Sequence, residues 1–129
     1  MLWKEAIAVT TAGADGSAVG TAYSHNTVMG YIHAAYVDYS GTLCPSTTDL
    51  TVGAASTPTE NIINLANGTT DAWIYPRRQV HNNAGTGLTL EGTEPVVDKY
   101  IVYDRVKVVV GDCNAITDAV TVYLFWEEP

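Results

Sequence analysis

The sequence has few charged residues and no long apolar run, and each shortage excludes a class of protein. Charged side chains make up 16% of the 129 residues, with six basic against 14 acidic, so the net charge is −8. Binding to nucleic acid or to an anionic membrane requires a basic surface that such a chain lacks. No segment approaches the run of about 20 apolar residues that a transmembrane helix needs. We therefore expect neither nucleic acid nor a membrane as a partner.

Cysteine is also scarce. The two cysteines, Cys44 and Cys113, lie far apart in the sequence. They cannot build a disulfide-rich scaffold or a four-cysteine zinc site, and we expect free thiols in a reducing compartment. The first residues show no basic segment followed by an apolar run, so the sequence predicts no signal peptide.

Helical periodicity is missing as well, and β-branched and aromatic residues take its place. About eight runs of these residues, which fit a pleated surface, are separated by turns rich in Gly, Pro, Asn and Ser. Hydrophobic residues make up 47% of the chain, enough for one two-layer core. The predicted fold class is all-β: an antiparallel β-sandwich, jelly-roll-like if its long connections cross between sheets.

The strongest strand signal lies in residues 96–126. We expect its two β-prone arms, 96–110 and 120–126, to form a long antiparallel pair at the centre of the domain. The second arm alternates clearly between two faces. One face carries Val120, Val122, Leu124 and Trp126, and the other carries Thr121, Tyr123 and Phe125. Unless a second sheet covers it, the latter face must meet another chain.

Residues 27–39 form the second strong predicted strand. Because both of its faces carry aromatic or aliphatic groups, we expect it to lie between two layers or to meet another subunit. Strict alternation places Ile32, Ala34 and Tyr36 on one face, and Tyr31, His33, Ala35, Val37 and Tyr39 on the other.

Asn67-Gly68 separates two further β-prone runs, residues 60–66 and 69–75. This dipeptide favours a tight hairpin, because both turn residues need a positive φ. The sequence therefore predicts that these two runs pair with each other.

The N-terminal part differs in composition from the rest. Residues 4–11 predict a strand with Ile7 and Val9 on one face. The Gly-rich residues that follow predict a flexible connection or an extended arm that orders on a partner. We accordingly divide a single domain into an N-terminal strand and arm, residues 1–26, and a β-sandwich body, residues 27–129.

No motif typical of an active site or a metal site is present. The three histidines, His25, His33 and His81, fit no zinc-binding spacing, and no phosphate loop or Ser-His-Asp arrangement can be identified. Carboxylate pairs serve as acid and base in glycosidases, but Asp104 beside Arg105 fits an ion pair better. We expect no enzyme activity, no catalytic residue, no metal and no cofactor.

Aromatic residues on strands are more numerous than one small core can hold. They are Tyr23, Tyr31, Tyr36, Tyr39, Trp73, Tyr75, Tyr100, Tyr103, Tyr123 and Trp126. Tyr and Trp are enriched in binding interfaces, so two hypotheses follow: an interface with other subunits, and a platform on which carbohydrate stacks. The first is favoured, because these residues alternate along strands instead of clustering in loops.

Five segments carry a family resemblance. They are G-Y-I-H-A-A-Y-V-D-Y, S-T-T-D-L-T-V, T-D-A-W-I-Y-P-R-R-Q-V-H-N-N-A-G, D-R-V-K-V-V-V-G and A-V-T-V-Y-L-F-W. Together they resemble a group of small tailed-phage virion proteins that are usually taken as capsid decoration, or cement, proteins. The resemblance covers residues 29–126, and residues 71–85 are its most distinctive part. Similar small β-domains also serve as tail or fibre modules.

The resemblance implies a structural virion protein made in the host cytoplasm. It would form a homo-trimer on the capsid surface and bridge subunits of the major capsid protein, partly through its N-terminal arm. Repetition over many copies would make weak contacts sufficient. The alternative is a carbohydrate-binding module, or a tail or fibre β-module, of a phage. The residues expected at the partner or oligomer interface are Tyr31, His33, Tyr39, Trp73, Arg77, Arg78, His81, Tyr103, Tyr123 and Phe125.

Overall fold

A computed structural model describes residues 1–56 and 59–129. Within these residues the chain forms short and long strands and one 3-10 helix, Gly41–Leu43. The strands are β1 (Leu2–Val9), β2 (Ala18–Tyr23), β3 (Val28–Tyr39), β4 (Asp49–Ala54), β5 (Asn61–Leu65), β6 (Ala72–Ile74), β7 (Arg77–Gln79), β8 (Thr89–Leu90), β9 (Glu94–Pro95), β10 (Val97–Lys99), β11 (Ile101–Asp104), β12 (Val106–Cys113) and β13 (Val120–Glu127).

Two antiparallel sheets make up the body of the molecule. The five-stranded sheet has the order β1-β13-β3-β11, and β6 pairs with β3 beside β11; the four-stranded sheet has the order β2-β12-β4-β5. Strands β7 and β10 pair with each other, as do β8 and β9. From β1 to β4 every connection crosses from one sheet to the other, as in jelly-roll-like sandwiches. The predicted all-β, antiparallel fold class is confirmed.

The core lies between the inner faces of the two sheets. The alternation predicted for residues 120–126 is confirmed, since Leu124 and its inward neighbours are buried while Phe125 is only partly covered. The buried row of β13 is Val120, Val122, Leu124 and Trp126, and it packs in one cluster with Val106, Val108 and Val110 of β12 and Leu50 and Val52 of β4.

The predicted pairing of the two arms of residues 96–126 is wrong. Strand β12 pairs with β2 and β4, whereas β13 pairs with β1 and β3 in the opposite sheet. The connection between them therefore crosses the sandwich. An apolar row identifies the buried face of a strand, and that row can meet the core from either sheet, so alternation alone does not identify the partner.

The predicted division of β3 into two faces is also wrong, because the strand contains a bulge. Phe125 pairs with Ala34 and Trp126 pairs with Ile32, so His33 has no partner residue on β13. A bulge residue shifts the alternation by one position. As a result Ile32 shares the core with Ala35, Val37 and Tyr39, and Tyr36 lies on the outer face.

The predicted hairpin around Asn67 is wrong as well. Asn67 does have a positive φ of 53°. However, β5 pairs with β4 in the four-stranded sheet, and β6 pairs with β3 in the five-stranded sheet. The backbone N–H of Asn67 donates to Asp49 Oδ1 at 2.9 Å, which fixes the turn as a connection between the two sheets.

The N-terminal residues are strands of the sandwich. Strand β1 pairs with β13 over its whole length, and Ile7 and Val9 are buried as predicted. Strand β2 pairs with β12, so the Gly-rich residues lead into a paired strand and do not project as an arm. In the part of the chain that the structure describes, no helix has the length and apolarity needed to cross a membrane.

Candidate functional site

The outer face of the five-stranded sheet carries aromatic side chains that the core does not bury. The strand register places Tyr36 opposite both Tyr123 and Trp73. Phe125 is the next outward residue on β13, and Tyr75 follows Trp73 by two positions. These five residues, Tyr36, Trp73, Tyr75, Tyr123 and Phe125, are called the aromatic cluster below.

The rings of the aromatic cluster contact one another. The ring centroid of Trp73 lies 5.2 Å from that of Tyr36 and 5.5 Å from that of Phe125. The rings of Tyr36 and Tyr75 are nearly parallel to the indole, at 14° and 17°. Trp73 nevertheless remains 53% exposed. Because these rings already support one another, covering them would immobilise few additional rotamers.

One cation lies over the aromatic cluster. Lys4 of β1 is opposite Phe125 in the sheet. Its Nζ is 5.5 Å from the ring centroid of Tyr123 and 5.8 Å from that of Phe125, which is cation–π geometry. The strongly acidic chain thus places a positive charge on this face.

A second exposed group continues the face where the beginning of β3 pairs with β11. Ile101 is opposite Tyr31, and Tyr103 is opposite Met29. All four side chains are exposed, Tyr103 by 64%. The aromatic cluster together with Met29, Tyr31, Ile101 and Tyr103 is called the outer aromatic face below. It contains Tyr31, Trp73, Tyr103, Tyr123 and Phe125, half of the residues predicted for an interface.

A charged group lies between the two parts of this face. Glu127 is opposite Tyr31 on β3. Its Oε1 accepts a hydrogen bond from Lys99 Nζ at 2.7 Å and lies 3.2 Å from His33 Nδ1. The hydrogen bond from Lys99 is the main cause that holds the pKa of Glu127 below its ordinary value, and the charges of Lys99 and His33 act in the same direction. His33, one of the residues predicted for the interface, therefore lies beside the ion pair of Lys99 and Glu127.

The predicted basic residues are distributed over different environments. Arg77 Nη1 donates to the carbonyl oxygens of Pro76 at 2.7 Å and His33 at 3.2 Å, so its guanidinium links β7 to β3. Arg78 and His81 are exposed and line a common cleft. Contact of these residues with an acidic capsid surface stays a prediction.

Tyr39 lies inside the sandwich and not on the outer aromatic face. It is 4% exposed, and burial is the main cause that raises the pKa of its hydroxyl group. Its backbone N–H donates to Asp71 Oδ1 at 2.8 Å. The bulge at His33 turns this side chain inward, so a direct role at a surface interface is excluded for the folded protein.

Two shallow clefts lie beside the exposed tyrosines and share Arg78 and Ile101. One has a volume of about 370 Å³ and is lined by Tyr31, His81, Asp98 and Lys99, among others. The other, of about 520 Å³, is lined by Tyr103, Asp104 and Glu60, among others. Their walls combine aromatic rings with hydrogen-bonding groups.

No metal centre accompanies these surfaces in residues 1–56 and 59–129, where no three His, Cys, Asp or Glu side chains come close enough to hold an ion. The outer aromatic face also contains Met29, Tyr36, Tyr75 and Ile101, and Lys4 lies over it; none of these five is among the residues predicted for the interface. Tyr36 was assigned to the wrong face because of the bulge. Tyr75 follows Trp73 by two positions, the spacing that places strand residues on one face, so its position beside Trp73 can be predicted from the sequence.

Comparisons with known proteins give little further information. No protein-family model matches the chain, and no curated protein matches it. Among solved structures, the enzymatically active domain of tailspike protein 4 of bacteriophage CBA120 is similar, with a TM-score of 0.37 and 10% sequence identity. The match covers 98% of this chain but 19% of that one, so this chain spans less than a fifth of its length. Structural similarity to a phage tailspike domain is thus weak and carries no inference about activity.

Proposed function

We propose that this protein is a structural module of a tailed-phage virion that binds other protein subunits through its outer aromatic face. The observation that carries the proposal is the concentration of exposed, mutually stacked rings on one side of one sheet. Continuous apolar area of this kind is typical of a surface that another protein covers. The resemblance to phage decoration proteins supports a virion as the setting.

The distribution of charge supports contact between copies at this face. Copies with a net charge of −8 repel one another over most of their surface. At the outer aromatic face, Lys4 covers two rings and Glu127 is paired with Lys99. Two copies that meet there bring together mainly rings, a lysine and a paired carboxylate.

The partners we propose are further copies of this chain in a homo-trimer and the major capsid protein. On a phage head such a trimer would act as cement, since it would bury additional area across the joints between capsid subunits. Repetition over the lattice would compensate for weak individual contacts. A tail or fibre position is the alternative, and it would use the same face on a different partner.

Self-association is tested by sedimentation velocity over a concentration series, with Tyr103→Ser as the variant and Tyr23→Ser as its matched control. Both tyrosines are exposed, but Tyr23 lies on the four-stranded sheet. We expect a trimer that Tyr103→Ser weakens about tenfold or more and that Tyr23→Ser leaves unchanged. A wild-type monomer at high concentration would contradict self-association. Equal weakening by both variants would contradict a contact specific to the outer aromatic face.

The position in the particle is tested separately. Gold-labelled antibodies against the protein should decorate the heads of purified phage particles in electron micrographs. Labelling of tails or fibres would replace the cement role by the alternative position, and unlabelled particles would contradict a virion component.

Carbohydrate binding is a second candidate, and the clefts beside Tyr31 and Tyr103 favour it. Exposed rings flanked by Arg78 and Asp98 offer both a stacking surface and hydrogen-bonding groups. A glycan array followed by titration calorimetry tests this function. Tyr31→Ala should abolish any binding in the cleft, whereas Trp73→Ala should abolish stacking on the aromatic cluster. An array without hits would exclude the glycans that it displays.

A further inference from the structure

The two cysteines, distant in sequence, lie together in the fold. Cys44 follows the 3-10 helix that precedes β4, and Cys113 ends β12. Both side chains belong to the buried core cluster, with Cys44 6% and Cys113 0% exposed. Both thiols are free.

The segments on either side of the cysteines are hydrogen-bonded to each other. Asn114 Nδ2 donates to the carbonyl oxygen of Leu43 at 3.3 Å, and Thr47 Oγ1 donates to that of Asp112 at 3.0 Å. These two bonds bracket the cysteine pair. They hold the backbone that carries Cys44 against the backbone that carries Cys113.

A bulge at the end of β12 turns Cys113 toward Cys44. Val106, Val108 and Val110 face the core, so regular alternation would bury Asp112 and expose Cys113. Asp112 has a positive φ of 48°, and the pairing register with β2 shifts between Val110 and Cys113. The observed order is the reverse of the regular one: Asp112 is exposed and Cys113 is buried.

The immediate surroundings of the Cys44 thiol include a backbone carbonyl and the Cys113 thiol. Cys44 Sγ donates to the carbonyl oxygen of Ala119 at 3.2 Å. Burial is the main cause that raises the pKa of Cys44, and the neighbouring Cys113 raises it further. The two thiols are therefore adjacent in the core.

We propose that Cys44 and Cys113 are a dithiol site that forms an intramolecular disulfide on exchange with a small-molecule disulfide such as oxidised glutathione. In the first step the thiolate of Cys44, the less buried of the two, attacks the small disulfide and releases one thiol. The thiolate of Cys113 then attacks Sγ of Cys44 and releases the second thiol. The protein loses two protons and two electrons, and one small disulfide is reduced to two thiols.

The new bond would join the loop before β4 to the end of β12. It closes a loop of about 70 residues. Because closure of a long loop restricts mainly the unfolded chain, oxidation should raise the midpoint of thermal unfolding by on the order of 10 °C. The strands that it connects are already paired, so the native sheets need little rearrangement.

The experiment incubates the folded wild-type protein with mixtures of oxidised and reduced glutathione and then traps remaining thiols with an alkylating agent. Intact-mass spectrometry should show the loss of two hydrogen atoms, and peptide mapping should identify a Cys44–Cys113 link. Dithiothreitol should restore both the mass and the lower unfolding midpoint. Cys113→Ser should retain one glutathione on Cys44 and should not gain stability.

Three results would overturn the proposal. They are an unchanged mass in fully oxidised glutathione, stable mixed disulfides on both cysteines of the wild-type protein, and disulfide-linked dimers on a non-reducing gel. Because the main measurement compares oxidised with reduced wild-type protein, it does not depend on the folding of a variant. It is also independent of the proposed virion role.

Discussion

The two sheets share one core but present different outer surfaces. The five-stranded sheet displays stacked rings, led by Trp73 and Phe125. The outward positions of the four-stranded sheet are mostly small or polar, such as Thr21, Thr51, Gly53, Asn61, Asn64 and Lys107; Val19, Tyr23 and Val109 are the large apolar or aromatic residues among them. Both sheets contribute residues to the same core cluster, and none of the five rings of the aromatic cluster belongs to it. A polar face is compatible with solvent, whereas exposure of an aromatic face to water is unfavourable.

The largest expected loss of stability comes from substitutions in the core, and it should be similar for the two sheets. Leu124 of β13 and Leu50 of β4 are fully buried in the common core. Each change to alanine should lower the free energy of unfolding by about 2–5 kcal/mol, because it removes apolar contacts and leaves a cavity. Chemical denaturation of both variants checks this. A loss from only one of them would mean that the sheets do not share one core.

The next largest effect on the free energy of unfolding should differ between the outer faces of the two sheets. Phe125 and Val109 are outward, partly covered residues of the central strands β13 and β12. Phe125→Ala should cost about 1–2 kcal/mol, since its ring packs against Trp73. Val109→Ala should cost about 0.5 kcal/mol or less. Denaturation at low protein concentration measures the monomer; equal costs would show that the aromatic cluster adds nothing to stability.

A smaller difference should separate two lysines. Lys4 lies over Tyr123 and Phe125 on the aromatic side, whereas Lys107 projects from the four-stranded sheet. Lys4→Met should destabilise by about 0.5–1 kcal/mol through loss of the cation–π contact. Lys107→Met is the matched control and should stay within about 0.5 kcal/mol of the wild type. Thermal unfolding at low salt resolves the two. The reverse order would contradict the contact at Lys4.

The smallest effect concerns the charged group within the outer aromatic face. Lys99 is the main cause of the lowered pKa of Glu127, with His33 contributing. A lowered carboxyl pKa gives stability that is present above the ordinary glutamate value, about 4.3, and is lost as the pH falls through the folded value. Glu127→Gln should therefore be less stable than the wild type near neutral pH and equal to it in acid.

Unfolding of the Glu127→Gln variant and the wild type over a pH series measures this difference, with Glu128→Gln as the control for removing a neighbouring carboxylate. A difference that persists in acid would mean that Glu127 stabilises through packing and not through charge.

The properties of single strands could be predicted from the sequence. The inward row of β13, the burial of Ile7 and Val9, and the outward position of Phe125 all follow from alternation. The excess of aromatic residues over core capacity also predicted an exposed aromatic surface, and Trp73 and Tyr103 lie on it.

The error in assigning the residues of β3 to the core or to the surface arose where local geometry departs from regular alternation. The bulge at His33 moved Tyr39 into the core and Tyr36 out of it. A second irregularity, at Asp112, places Cys113 in the core where regular alternation along β12 would expose it. A single inserted residue reverses every later assignment along a strand. No glycine marks the bulge residue His33, whereas Gly111 lies within the irregular part of β12.

The sequence by itself determined the strand character of the chain, its acidic charge and the surplus of aromatic side chains. These properties depend on residue type and on spacing within one strand. Only the tertiary structure decided that β12 and β13 lie in opposite sheets, that the surplus rings gather on one outer face, and that Cys44 meets Cys113. The physical reason is that strand pairing joins segments distant in sequence, and an alternating pattern is compatible with many partners.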